Sequence, residues 1–301
     1  MKIREGNFFL STEETPKGLL LTGYEGEGAV LDLSGREDLF AVGKKAFLNC
    51  RSLQKVILPG TVLGIGDWAF SKCRSLRSVR IDKKADGSIF GKGVFEGCDM
   101  LERIRFSDMD EGASALYAAT ANRMNNEHLL RAKDPGERFW YEKWDLSLLS
   151  LLRSDDAESS DRVALCGEED ISFDGVGMVD GEMPGETDDY VKKIGIGKCR
   201  LCYLRLRYPE NLAPGIRETI GDYLRERAFG TEKDRAWEAL KEDFDRNTDH
   251  MRIYLDVIRP DREKLLRMID DLDASRVLAK ALLIREAAGK EEGSGIDSLM
   301  I

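Results

Sequence analysis

Between residues 42 and 106, apolar side chains recur with a period of 23 and then 25 residues. Each copy has an apolar residue followed by glycine, and then a phenylalanine, a cysteine and a leucine at the same offsets. A unit this short cannot bury its own side chains, so we expect successive copies to stack and these residues to form the ladders of one core. The predicted core residues are Phe47, Cys50 and Leu53, then Phe70, Cys73 and Leu76, then Phe95, Cys98 and Leu101.

After each leucine the apolar and polar positions alternate, which is typical of a short β-strand. In the first copy, Val56 and Leu58 are expected to point inward and Ile57 outward. Strands of successive copies would then pair in parallel. A glycine follows the first apolar residue of each copy, where a bend needs either a positive φ or a close backbone approach.

These copies resemble the BspA-like leucine-rich repeats, whose consensus is roughly I-G-x-x-A-F-x-x-C-x-x-L-x-x-V-x-I-P. Leu58 and Pro59 match its end, and a weaker copy precedes them at residues 31–33. The third copy departs from it, with Val94 in place of the alanine and Ser107 in place of the proline. The resemblance covers about residues 18–107. It implies a curved binding scaffold and specifies a fold more firmly than a function.

The remaining patterns predict an α+β protein, in which a short solenoid with a parallel β ladder is followed by an all-α domain. We expect a capping hairpin at residues 1–29, repeats at 30–110, capping or linking helices at 111–153, an acidic loop at 154–189 and a helical domain at 190–301. The predicted C-terminal helices are residues 190–208, one starting near Pro214, one capped by Thr231, and residues 248–258, 261–272 and 274–288.

Charge is distributed unevenly along the chain. Residues 44–106 hold 13 lysines and arginines against 6 acidic residues, whereas the whole chain has a net charge of −10. If the strands are in register, a basic face would consist of Lys55, Ile57, Arg77, Arg80, Arg103 and Arg105. Such a face could bind an acidic protein, or it could offset the acidic remainder of the same chain. Nucleic acid or another polyanion is a less favoured partner, because the protein is acidic overall and this face lacks interleaved aromatics.

Candidate metal and catalytic patterns are weak. Cys199 and Cys202 form a C-x-x-C spacing inside a predicted helix, where core packing is favoured over zinc or redox chemistry. Between residues 154 and 189 there are thirteen acidic residues and one base, Arg162, but the calcium-loop pattern starting at Asp170 fails at its third position. The glycines of residues 64–68 belong to the repeat rather than to a phosphate loop.

Function is therefore predicted to be a non-catalytic, protein-interaction or scaffold role, without cofactor, metal or small-molecule substrate. The alternative is an enzyme or metal-binding protein with its site in the helical half, using Cys199, Cys202 or the acidic loop. The first 18 residues lack an apolar leader and no apolar run is long enough to span a membrane, so we expect a cytoplasmic protein with buried, free thiols.

Overall fold

The computed structural model describes residues 1–84, 89–124, 126–154, 186–229, 234–241 and 248–296. The predicted α+β class is confirmed: a β-solenoid of about four turns occupies the N-terminal part, and most helices lie in the C-terminal half. Two compact units can be distinguished, one made of Met1–Leu148 with Glu210–Leu212 and the other of Leu149–Pro209 with Ala213–Ile301. The acidic loop, apart from its margins, lies outside the described residues, as do Cys166, Arg162, Thr231 and the end of the helix expected after it.

Two sheets form the solenoid. One has the order β1-β2-β3-β5-β7 and the other, which is parallel throughout, has the order β4-β6-β8-β9. The strands are β1 (Lys2–Glu5), β2 (Phe8–Thr15), β3 (Gly18–Glu25), β4 (Val30–Asp32), β5 (Leu39–Val42), β6 (Lys55–Leu58), β7 (Gly64–Ile65), β8 (Ser78–Ile81) and β9 (Arg103–Phe106).

Strand register explains which side chains form the core. Val56 pairs with Val79 and Val79 with Ile104, and all three are fully buried. Two residues further along each strand, Leu58, Ile81 and Phe106 form a second buried row. Side chains alternate across a strand, so the residues between these rows point away from the core.

An aromatic ladder runs through the centre of the solenoid. The rings of Phe47 and Phe70 have centroids 4.6 Å apart and planes within 4°, and those of Phe70 and Phe95 are 5.6 Å apart within 7°. Tyr24 of β3 continues the ladder at one end, 5.5 Å from Phe47. At the other end Tyr117 lies 5.9 Å from Phe90. Equivalent side chains of successive coils therefore stack directly on one another.

Different elements cover the two ends of the solenoid. The hairpin of β2 and β3 lies at the N-terminal end, and β1 adds a third antiparallel strand that was not expected from the sequence. At the far end the first helix contacts β9, where Ser114 Oγ donates a hydrogen bond to the Ile104 carbonyl at 2.9 Å. Asn122 Nδ2 donates to the Cys98 carbonyl at 2.8 Å. These contacts add hydrogen bonds to the last coil, at the edge of the sheet where no further described strand pairs with β9.

The helices are shorter or longer than the sequence pattern indicated at several ends. They are α1 (Glu111–Ala119), α2 (Arg138–Arg153), α3 (Glu186–Arg207), α4 (Pro214–Phe229), α5 (Arg235–Lys241), α6 (Thr248–Ile258), α7 (Arg262–Asp271) and α8 (Val277–Ile296). The helix expected from Glu111 onward stops at Ala119 and continues as a π-helical turn, Thr120–Met124. The last helix begins three residues later than expected, because the Asp273 carboxylate accepts the Ser275 N–H in a turn.

A partly buried polar network joins helices of the second unit. Asp234 caps α5 by accepting the Trp237 N–H at 2.8 Å, a role that the sequence had assigned to Thr231. Its other oxygen accepts a hydrogen bond from Tyr254 at 3.0 Å and an ion pair from Lys264 at 2.9 Å. Burial and the Asp234 charge raise the pKa of Tyr254, so its hydroxyl remains a donor. This network fixes α5, α6 and α7 relative to one another.

Candidate interaction surface

The outward row of the parallel sheet contains most of the basic residues predicted from the sequence. In one row Lys55 pairs with Ser78 and Ser78 with Arg103, and in the next Ile57 pairs with Arg80 and Arg80 with Arg105. We call Lys55, Arg77, Arg80, Arg103 and Arg105 the arginine face. Parallel pairing of β6, β8 and β9 thus brings together residues that are about 25 positions apart in the chain.

Ile57 differs from the expectation of an exposed contact residue, since it is only 7% exposed. Its neighbours in the sheet are Asp32 on β4 and Arg80 on β8. The Arg80 charge contributes to holding the pKa of Asp32 below its ordinary value, although hydrogen bonds from Ser34 contribute more. Arg80 therefore interacts with Asp32 across Ile57, and the two polar side chains enclose the apolar one.

Acidic residues of the same chain pair with three of the arginines. Arg77 Nη1 lies 3.4 Å from Glu102 Oε1, and Arg80 Nε lies 2.5 Å from Asp82 Oδ1. Arg103 Nη2 lies 2.8 Å from Glu111 Oε1. All six side chains are between about a quarter and three-fifths exposed, so each pair contributes about 0–1 kcal/mol to stability. The face is therefore less basic than its arginine count indicates, and its acidic partners are largely local.

Arg105 and Lys55 are the two cations on this face with no ion pair among the residues that the structure describes. Both side chains are exposed. Lys55 contributes, as a smaller cause than Ser34, to the lowered pKa of Asp32. Arg105 is adjacent to Arg80 in the register. An acidic partner would therefore find its least compensated positive charge around Arg105.

The nine predicted core residues are found at the stacking positions, and eight of them are buried. Cys50 is the exception, because it is only half-buried. Cys73 Sγ donates to the Phe47 carbonyl at 2.9 Å and Cys98 Sγ to the Phe70 carbonyl at 3.0 Å. Burial raises the pKa of Cys98 to about 12, whereas the neighbouring Cys73 side chain, which can hydrogen-bond a Cys50 thiolate in place of the Phe47 carbonyl, lowers the pKa of Cys50. The five cysteines that the structure describes are free thiols.

The described part of the helical half contains little that resembles a metal site. Cys199 and Cys202 are fully buried on α3, and burial raises the pKa of the Cys202 thiol well above its ordinary value. Across the described ranges, no group of three histidine, cysteine or acidic side chains could hold a metal ion. No helix within those same ranges has the length and apolar character needed to cross a membrane.

Sequence reasoning missed a second basic surface at the turns that follow β5 and β7. The ammonium groups of Lys44, Lys45 and Lys92 lie 4.8, 5.7 and 5.7 Å from the centroid of the Trp68 ring. We call these four residues the corner cluster. The signal was present in the repeat, because Lys44 and Lys92 follow the recurring glycine and Trp68 follows it by two positions.

Comparison with known proteins identifies the repeats. Residues 31–120 match the BspA type Leucine rich repeat region in six copies, so the N-terminal third carries repeats of this type. Such repeats suggest a protein-interaction module and point to a non-enzymatic repeat protein. Comparison with curated proteins gives no match.

One similar solved structure is a leucine rich cell surface protein from Faecalibacterium prausnitzii A2-165. It is 22% identical with a TM-score of 0.28, and the match covers 35% of this chain and 30% of that protein. The chain thus spans less than a third of that protein's length.

The cytoplasmic location expected from the sequence is contradicted by the comparisons. The BspA-type repeats of residues 31–120 suggest a surface or extracellular protein instead. The expectation had depended on the lack of an apolar leader, and such an absence does not determine where a protein is located.

Proposed function

We propose that this protein is a non-catalytic interaction module that binds an acidic region of a partner protein through its arginine face. The observation that supports the proposal is the register of β6, β8 and β9, which aligns Arg80 with Arg105 and Lys55 with Arg103 on one exposed side of a rigid sheet. A fixed row of cations attracts and orients an acidic surface without a rearrangement of the backbone. Ile57 is left out of the proposed contact set because it is buried.

Arg105 is the residue on which the proposal depends most. Arg77, Arg80 and Arg103 already have carboxylate partners in the chain, so a partner must compete for them. Arg105 has no carboxylate partner among the described residues, so a partner protein can bind it without displacing one. Arginine also offers a planar set of donors that binds a carboxylate in two-point fashion, which adds direction to the charge attraction.

Affinity capture from the native host, followed by a direct binding measurement on the captured protein, tests the proposal. The double reversal Arg80→Glu with Arg105→Glu should lower the affinity by at least about tenfold, while the melting temperature changes little because both side chains are exposed. A matched control reverses Arg138 and Arg267, which are 81% and 71% exposed on helices α2 and α7. Equal binding by the wild type and the face variant would exclude this assignment.

A further inference from the structure

Trp68 differs from the other tryptophans in its environment. Trp140, Trp144 and Trp237 are at most 5% exposed and lie in helices, whereas Trp68 is half-buried at a turn of the solenoid. Its backbone has a φ of 52°, in the left-handed region where large side chains are uncommon. The equivalent residue in the next coil is Gly93, with a φ of 58°. Trp68 thus has a backbone conformation that glycine adopts more easily than tryptophan does.

Stacking of the coils fixes the position of the indole. The backbone N–H of Trp68 donates to the Lys92 carbonyl at 2.9 Å, and the backbone N–H of Lys45 donates to the Asp67 carbonyl at 3.0 Å. A Cβ at Gly93 would lie 2.7 Å from Trp68 Nε1, so the glycine leaves the space that the ring occupies. The ring therefore lies against a rigid backbone, and lysines from the coil on either side converge on it.

The cluster has an excess of positive charge. Asp67 Oδ1 accepts the Lys92 backbone N–H at 2.9 Å, and Glu96 Oε2 would lie 3.0 Å from a Cβ at Gly93. Two carboxylates, those of Asp67 and Glu96, thus lie near three ammonium groups. Lys44 and Lys45 form no ion pair within the part of the chain that the structure describes, and their contact with the indole leaves their charge in place. A nearby anion would relieve the repulsion among the three cations.

We propose that the corner cluster is a second docking site, for an acidic peptide segment that carries an apolar side chain between its carboxylates. The carboxylates pair with Lys44, Lys45 and Lys92, and the apolar side chain packs on the Trp68 ring. A nucleic acid strand fits less well, because such strands use several successive aromatic platforms, and the equivalent positions in the flanking coils are Lys45 and Gly93. The site is made of turn residues and is separate from the strands that carry the arginine face.

Tryptophan fluorescence of the full chain tests the site, because the other three indoles are buried. Local positive charge should make iodide quench the emission more strongly than caesium does, and the difference should shrink in the triple variant Lys44→Gln, Lys45→Gln, Lys92→Gln. Equal quenching by the two ions in the wild type would overturn the proposal.

Titration with a short oligoglutamate peptide containing one central leucine tests the occupant. The peptide should shift the Trp68 emission, and the triple variant should weaken binding by at least about tenfold, since each exposed ion pair changes affinity by a few-fold. The control variant Arg138→Gln with Arg267→Gln removes two exposed cations outside both proposed sites and should give the same Trp68 emission shift as the wild type. Peptide that binds only at the arginine face leaves the Trp68 emission unchanged, so failure of the arginine face is distinguishable from failure here. No binding, equal binding by the triple variant, or preferential binding of a single-stranded DNA oligonucleotide would each overturn the proposal.

Discussion

Phe70 occupies the middle of the aromatic ladder and is in contact with rings on both sides. It is fully buried, 4.6 Å from Phe47 and 5.6 Å from Phe95. Phe70→Ala should lower the free energy of unfolding by about 3–5 kcal/mol, because it removes apolar contact area and leaves a cavity between two coils that cannot close independently. Urea denaturation followed by circular dichroism measures the change.

Phe9→Ala is the matched control for this ladder variant. Phe9 belongs to the same compact unit but is 37% exposed on β2, so its removal should cost about 1 kcal/mol or less. If the two variants were destabilised equally, the central position of Phe70 in the core would be contradicted.

Cysteine reactivity should differ along a single ladder. The thiolate is the reactive form of cysteine, and the Cys73 side chain, by hydrogen bonding to the Cys50 thiolate, lowers the pKa of the half-buried Cys50. As pH rises, Cys50 should therefore become reactive before an ordinary thiol does. Cys98, with a pKa raised to about 12, should remain unmodified in the folded protein over the same range. Iodoacetamide labelling between pH 6 and 9, with peptides identified by mass spectrometry, measures this order.

Cys50→Ser supplies the control for the labelling experiment, since it should remove the early-reacting site and leave Cys73 and Cys98 protected. Rapid modification of Cys73 or Cys98 under native conditions would contradict the packed ladder. Both thiols are fully buried and donate hydrogen bonds to carbonyl groups of the preceding coil.

At the scale of the element, the recurring glycine of each coil allows successive coils to stack closely. The sequence left two reasons open for it, and the structure favours close backbone approach, because the φ angles of Gly43, Gly66 and Gly91 are not positive. A Cβ at Gly66 would lie 2.7 Å from the Lys44 nitrogen and 2.9 Å from the Gly43 carbonyl carbon. Gly66→Ala should thus cost about 1–3 kcal/mol, since the clash is with backbone that is itself hydrogen-bonded.

Gly64→Ala is a close control because it lies two residues away in the same coil. Nothing lies within 4 Å of a Cβ built there, and the position paired with it in the preceding coil is Ala41. Chemical denaturation of both variants provides the comparison, and a Gly66→Ala protein as stable as Gly64→Ala would refute the stacking explanation.

Features that the local sequence determines could be predicted, and features that depend on contacts between distant residues could not. The ladder positions could be read from the sequence because the same residue types recur at the same offsets. The burial of Ile57 could not, since it depends on Arg80 and Asp32 on neighbouring strands that enclose it. The cap of α5 was assigned to Thr231 instead of Asp234 because both residue types are good caps, and contacts with Tyr254 and Lys264 distinguish Asp234 only in the folded chain.

Two separate cores exist at the scale of the whole molecule. The first unit is built on the aromatic ladder, and the second is built on helices around buried residues such as Leu224, Tyr254 and Leu283. Compact units that each have their own core commonly unfold as separate cooperative transitions. We therefore expect differential scanning calorimetry of the full chain to show two transitions.

Core variants assign these transitions to the units. Phe70→Ala should lower the midpoint of one transition only, and Leu283→Ala on α8 should lower the midpoint of the other, because each removes contacts within a single unit. A 2–5 kcal/mol loss in a unit of this size corresponds to a shift of roughly 4–20 °C in the midpoint, which calorimetry resolves. A single transition that both substitutions lower equally would mean that the two cores unfold as one cooperative structure.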